Sequence, residues 1–286
     1  MSAMKGKSII EVTSFFALLA AFGRWRYAVT QSVWSPLTQS FALGLLMILA
    51  PVLLILITRR SFEVYGFTLK GWQANLDVGL KGYLARFLPW GLGYAIVVKL
   101  GGSYTDPTGA VVLSAAYMLA TAVLLRVLRK ASTKNKPVSD LLLVSGLLLC
   151  PILVGLALRR LTVAVITTVV WQFIFSGFGE EMIYRGYIQS RVNEEFGRPW
   201  ELIGVRFGPG LIVAALAFGL SHVANTYNPW VGQYSLSWYW GLWTFFAGLF
   251  FGFIREKTGS LLAAGLAHGL PDAVGEGFAV LLGWRI

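Results

Sequence analysis

Two adjacent carboxylates, Glu180 and Glu181, stand at the end of the apolar run 161-LTVAVITTVVWQFIFSGFGEEMIYRG-186, and the only two histidines, His222 and His268, also lie inside apolar segments. An ionised side chain at membrane depth costs roughly 2.5–3.5 kcal/mol even on lenient insertion scales, so such groups are usually kept for use. In a helix, residues four apart share a face, which places Arg185 where it can neutralise Glu181. Glu180 is turned about 100° away and has no helical partner of opposite charge. That leaves it free to serve as a general base. The plainer alternative is that all three charges are interfacial groups at a helix end, reaching to water.

His222 lies in 211-LIVAALAFGLSHVAN-225, where an imidazole can share a water with Glu180 and relay a proton. The alternative is a core histidine hydrogen-bonded to a neighbouring helix. His268 lies in 261-LLAAGLAHGLPDAVGEGFAVLLGW-284, with Asp272 four residues on and Glu276 eight on. Pro271 has no N–H and should loosen this helix, freeing the carbonyl near Ala267. A donor pair at 268 and 272 could receive the oxyanion of an amide under attack. A carboxylate only accepts, so Asp272 must be protonated to donate, or else act through His268. Three helices thus supply a base, a water holder and an oxyanion site, which together are what peptide hydrolysis inside a membrane requires.

The elements that carry these groups are apolar. Of 286 residues, 56% are hydrophobic and 13% charged, against about 25% charged in soluble domains. The fold class is therefore all-α, a polytopic transmembrane bundle read as one domain over 1–286. Spanning or near-spanning runs occupy 37–58, 83–101, 109–127, 139–157, 161–179, 209–225, 237–254 and 261–282, eight in all. Residues 8–23, within an N-terminal segment 1–36, form a ninth run short enough to lie at the interface. Lys5 and Lys7 precede it as in a signal peptide, but Glu11 interrupts the run and Arg24 and Arg26 stand where a cleavage site would, so it is read as retained. The lone Cys150 reads as a small core hydrophobe.

The net charge of +11 does not indicate nucleic-acid binding, because Lys and Arg gather in short connections such as Arg59-Arg60 and 126-RVLRKASTKNK-136. That is the pattern of loops on the cytoplasmic side. Placing 59–81 and 128–138 inside puts 102–108 and 226–236 outside, 180–208 inside, and leaves Arg159-Arg160 as the exception. The glutamate pair then falls at the cytoplasmic end of its helix. The aromatic stretch 227-YNPWVGQYSLSWYWGLW-243 reads as an interfacial belt.

The ordered motifs 180-EEMIYR-185, 218-FGLSH-222 and 268-HGLPD-272 resemble the CAAX-protease and bacteriocin-processing intramembrane endopeptidases, which include the Ras-converting enzyme and prokaryotic abortive-infection-type proteins. The resemblance covers about residues 160–275, within catalytic helices expected over 160–282. It implies that Glu180 is the catalytic glutamate activating water, His222 its partner, and His268 with Asp272 the oxyanion pair. Glu181 and Arg185 become structural support. Asp272 stands where the CAAX enzymes proper usually carry Asn. The implied enzyme is a glutamate-dependent protease with no metal in its chemistry, acting on a membrane-associated or lipidated protein or peptide at the cell membrane, its site opening toward the cytoplasm. Rival readings are a zinc metalloprotease on Glu180, Glu181, His222 and His268, though no H-E-x-x-H pair exists to preorganise the ion; a proton-coupled transporter; and a non-catalytic scaffold.

Overall fold

Punctuation by Ser, Thr, Asp, Pro and Gly turns the apolar runs into discrete helices. Ser35 caps the N-terminus that opens at Pro36, its Oγ accepting from Thr38 N at 3.2 Å. Asp106 does the same ahead of Pro107, accepting from the backbone N–H groups of Gly109 and Ser103, which hold its carboxyl below the usual carboxylate range. Gly259, at φ 67°, ends one helix in the left-handed conformation, and Ser260 caps the next. The computed structural model describes residues 6–130 and 137–284. Among them are nine helices: α1 Lys7–Thr30, α2 Pro36–Ile57, α3 Trp72–Lys99, α4 Pro107–Lys130, α5 Pro137–Ala157, α6 Val163–Phe196, α7 Pro209–Val223, α8 Trp238–Thr258 and α9 Leu261–Leu282. Two short hairpins join them, β1 Trp200–Leu202 with β2 Val205–Phe207 and β3 Tyr227–Asn228 with β4 Gln233–Tyr234. Lys5 and the 131–136 portion of the basic connection lie outside the described residues.

The bundle is apolar outside, and its apolar core holds a set of buried polar side chains. Leu45, Leu49, Leu53 and Leu56 of α2 are exposed, whereas Glu181, Arg185, Gln189, Ser190, Asn193 and His268 are buried. The exposed leucines are the arrangement expected of helices facing lipid. Six helices, α1, α2 and α4 to α7, are long and apolar enough to cross a bilayer, and the chain is a multi-pass membrane protein. The remaining three are long as well, with 28, 21 and 22 residues, and they carry several of the buried polar and charged side chains: Arg86 on α3, Arg255 on α8 and His268 on α9. Helix α9 is the hub and packs against α3, α5, α6 and α8.

One expectation is corrected. Helix α6 does not end at the glutamates but runs on to Phe196, so Glu180 stands near its middle, about 24 Å from its last residue at 1.5 Å per residue. The polar residues that read as a loop are instead bonded to α8. Gln189 Nε2 donates to Gly252 O at 3.2 Å and to Glu256 Oε1 at 2.9 Å, and Asn193 Nδ2 donates to Glu256 Oε1 at 2.6 Å. The rest of the 180–208 connection is the β1–β2 hairpin. Basic residues do collect at one end of the bundle, where Glu11 meets Arg60, Tyr187 and Arg191 and Glu256 meets Arg198. At the opposite end Arg24 donates to Ala224 O and Tyr227 O, both at 2.7 Å.

Helix α6 carries two π-helical stretches, Trp171–Gly179 and Met182–Gln189, on either side of the glutamates. Such wide turns are concentrated at functional positions. At the end of the second, Ser190 Oγ donates to Arg185 O at 3.1 Å. The first contains the closest crossing with α9: a Cβ added at Gly177 would lie 2.5 Å from Gly269 Cα. Only glycine permits that approach. Gly177→Ala is therefore expected to destabilise the bundle by about 1–3 kcal/mol through overpacking. Thermal unfolding of the detergent-solubilised chain checks this against Gly146→Ala, whose Cβ meets nothing within 4 Å; equal melting of the two variants would contradict the crossing.

Candidate active site

The α6–α9 crossing delivers both glutamates to the His268 ring. Glu181 Oε1 lies 2.9 Å from His268 Nδ1 and 3.0 Å from Arg185 Nη1, with both carboxylate and guanidinium side chains 0% exposed. A carboxylate paired with arginine is an acceptor, so Nδ1 carries the hydrogen and donates it. Nε2 is then the ring atom that faces the site. It lies 3.5 Å from Asp272 Oδ2 and 3.8 Å from Glu180 Oε2. The second separation exceeds a direct hydrogen bond, yet one oxygen placed between the two can contact both. Phe251 stacks on the imidazole, with centroids 4.4 Å apart and planes at 17°, fixing its tilt.

Three carboxylates thus surround one imidazole, and two are matched with guanidinium groups. Arg185 takes Glu181, donates to Gly248 O at 3.0 Å, and lies 4.6 Å from the Phe218 ring centroid. Arg86 of α3 takes Asp272, with Nη2 to Oδ1 at 2.6 Å. No lysine or arginine pairs with Glu180 among the described residues. Its side chain is 21% exposed where that of Glu181 is 0%, so a substrate can reach the first and not the second. Asp272 Oδ1 accepts from Arg86, so the Asp272 carboxyl is committed to Arg86 on one side while Oδ2 faces the His268 ring. Glu276 accepts from Gln172 of α6 and forms a further tie between α6 and α9.

His222 comes near without touching the glutamates. Its Nδ1 donates to Phe218 O at 2.8 Å, which leaves Nε2 with its lone pair available. The Phe218 ring stands between the two histidines, 4.6 Å from His222 and 5.8 Å from His268 by centroid. No hydrogen bond or ion pair joins His222 to Glu180 among the described residues. Nor is any group of three or more His, Cys, Asp or Glu side chains arranged to hold a metal ion among those residues.

The sequence reading did not single out Arg86, Phe251 or Trp240. Trp240 was assigned to the interfacial belt; its ring lies 5.3 Å from His222, and Trp243 turns inward to donate to Tyr104 O at 2.8 Å. Arg86 is a charged residue within the apolar run 83–101. The signal that could have found it was the same one that marked Glu180, an ionised residue at membrane depth.

The buried pair makes a stability prediction. Arg185→Met leaves Glu181 charged, buried and without its cation. Breaking such a pair from one side costs about 3–5 kcal/mol, and chemical unfolding of the purified chain should show that loss. A change below about 1 kcal/mol, the scale of an exposed pair, would contradict the burial described.

Residues 162–274 match the family model described as type II CAAX prenyl endopeptidase, Rce1-like. Comparisons with curated proteins and with solved structures returned no match. The matched segment begins at the start of α6 and ends two residues after Asp272; it contains Glu180, Glu181, Arg185, His222, His268 and Asp272, while Arg86 falls outside it. Over residues 162–274 the chain is thus similar to the Rce1-like members of the CAAX protease family.

Proposed function

We propose that the chain is a glutamate-dependent intramembrane endopeptidase that hydrolyses a peptide bond in the membrane-proximal or C-terminal part of a lipidated or membrane-associated protein. The observation that carries this reading is the unequal treatment of the three carboxylates. Glu181 and Asp272 are each matched by an arginine, and Glu180, the unmatched one, is partly exposed beside His268 Nε2. A carboxylate left unpaired in apolar surroundings binds a proton more readily than one matched with arginine, which suits it to taking a proton from water.

In this mechanism Glu180 removes a proton from a water that His222 Nε2 helps to hold, and the resulting hydroxide attacks the scissile carbonyl carbon. The carbonyl π-bond opens, and the oxyanion is received by Nε2–H of a His268 ring that in this mechanism carries a hydrogen on each nitrogen, Nδ1–H to Glu181 and Nε2–H to the site. Glu181 contributes by fixing the ring through Nδ1, and Asp272 acts on the oxyanion through His268. Collapse of the tetrahedral intermediate breaks the C–N bond as Glu180 returns its proton to the leaving amine. These steps balance without a metal or cofactor.

The basic residues gathered at the Glu11, Arg191 and Glu256 end of the bundle support an orientation with that end toward the cytoplasm, in the cell membrane. Substrate would then reach Glu180 from that side.

Glu180→Gln keeps the shape and removes the base. It is expected to fold normally and to lower cleavage by about 10²–10⁴-fold, read by mass spectrometry of new termini in membrane proteins from cells with active and substituted enzyme. Wild-type cleavage by Glu180→Gln would sink the mechanism. Activity of the wild-type chain is expected to persist through exhaustive chelation; loss on chelation with recovery on adding zinc would transfer the same residues to a metalloprotease.

A further inference from the structure

We infer that Arg86, on a helix outside the 162–274 segment, is a positioning residue for the oxyanion site: by binding Asp272 and the α9 backbone it keeps the Asp272 charge from competing for His268 Nε2–H. This rests on the proposed function. Arg86 is buried, and its guanidinium donates to three acceptors on two other helices. Nε donates to Tyr117 OH of α4 at 2.9 Å, Nη1 to His268 O at 2.9 Å, and Nη2 to Asp272 Oδ1 at 2.6 Å.

The backbone explains why a cation is needed there. Pro271 has no N–H, so the carbonyl of Ala267 loses its helical donor. Arg86 Nη1 lies 3.5 Å from that carbonyl and closer to the next one, His268 O. The side chain therefore fills the gap that proline opens in α9, directly under His268. The height of Arg86 is set by close packing of α3 on α9: a Cβ at Gly79 would lie 2.9 Å from Leu266 Cβ, and one at Gly82 would lie 2.8 Å from Ala267 Cβ. Residues 79, 82 and 86 share one face of α3, so the same contact that seats the helices places the guanidinium opposite residues 267–272. The rings of Phe251, Trp90 and Tyr117, with centroids 5.5–5.9 Å from it, surround the cation.

The electrostatic consequence follows from Asp272 Oδ2, 3.5 Å from His268 Nε2. Without Arg86, a bare carboxylate would hold the Nε2–H that the oxyanion needs and would repel the charge developing on it. The Arg86–Asp272 pair is close to neutral overall, and Asp272 then serves to aim the ring. Lysine cannot reproduce this, because one ammonium does not reach three acceptors in a fixed fork.

The test uses the purified full chain with a cleavable peptide, measuring kcat and KM on folded protein alongside thermal stability. Arg86→Gln is expected to lower kcat by about tenfold to a hundredfold, with KM within about twofold. Folded Arg86→Gln with wild-type kcat would overturn the inference, since a purely structural role lowers stability without lowering turnover per folded molecule. Should Arg86→Gln not fold, the comparison is made in an Asp272→Asn background. There, adding Arg86→Gln is expected to change kcat by less than about threefold, because the charge it controls is gone. A further loss of about tenfold or more in that background would show that Arg86 does not act through Asp272. Glu180→Gln is run in parallel. If it cleaves, the proposed function fails; if it is silent while Arg86→Gln is unimpaired, only the role of Arg86 fails.

Discussion

Ionised side chains in the interior of an apolar bundle must be matched, and that constraint organises this molecule around His268. Glu181 is fully buried and would be untenable alone; Arg185 on the same helix and the imidazole on α9 share it. Asp272 is matched from a third helix by Arg86. Once those two pairs are made, Glu180 is the carboxylate left facing the ring without a cation. The contrast between neighbours at 180 and 181 is one of helical geometry: a 100° turn puts one into the packed crossing and the other beside the space where an oxygen can contact His268.

Matching charges at such short range demands that the helices lie unusually close. Glycine meets that demand twice, where Gly177 crosses Gly269 and where Gly79 and Gly82 admit α9 onto α3. The first contact brings the glutamates to the imidazole, and the second brings the guanidinium to Asp272. The π-helical turns either side of Glu180 belong to the same solution, because a widened turn resets which side chains of α6 face α9. Stability and site geometry are then one property, since a loosened crossing would strand a buried charge.

The parts of this arrangement legible in the sequence were those with local signals. Helix α9 occupies the span read for it, 261–282, because Ser260 and Gly283 punctuate both ends. The Glu181–Arg185 pair followed from its spacing of four. Less legible were features whose partners are remote. Helix α3 begins at Trp72, well before the apolar run at 83, since Asp77 and Lys81 break the run in composition yet bond to one another across one helical turn. Helix α6 continues to Phe196 because Gln189 and Asn193 find acceptors on α8, more than fifty residues away. Arg86 and Asp272 are 186 residues apart, and no periodicity links them. The freed carbonyl near Ala267 was visible as a need; the side chain that approaches it was not.

The central claim is that the carboxylate of residue 180 and Nε2 of His268 address the same reacting group from two sides. A structure of the Glu180→Gln chain holding an uncleaved peptide tests it most directly. The account predicts the scissile carbonyl oxygen within hydrogen-bond distance of His268 Nε2, with the residue 180 side chain beside the carbonyl carbon. A peptide bound productively elsewhere in the bundle, its carbonyl out of reach of His268, would contradict it.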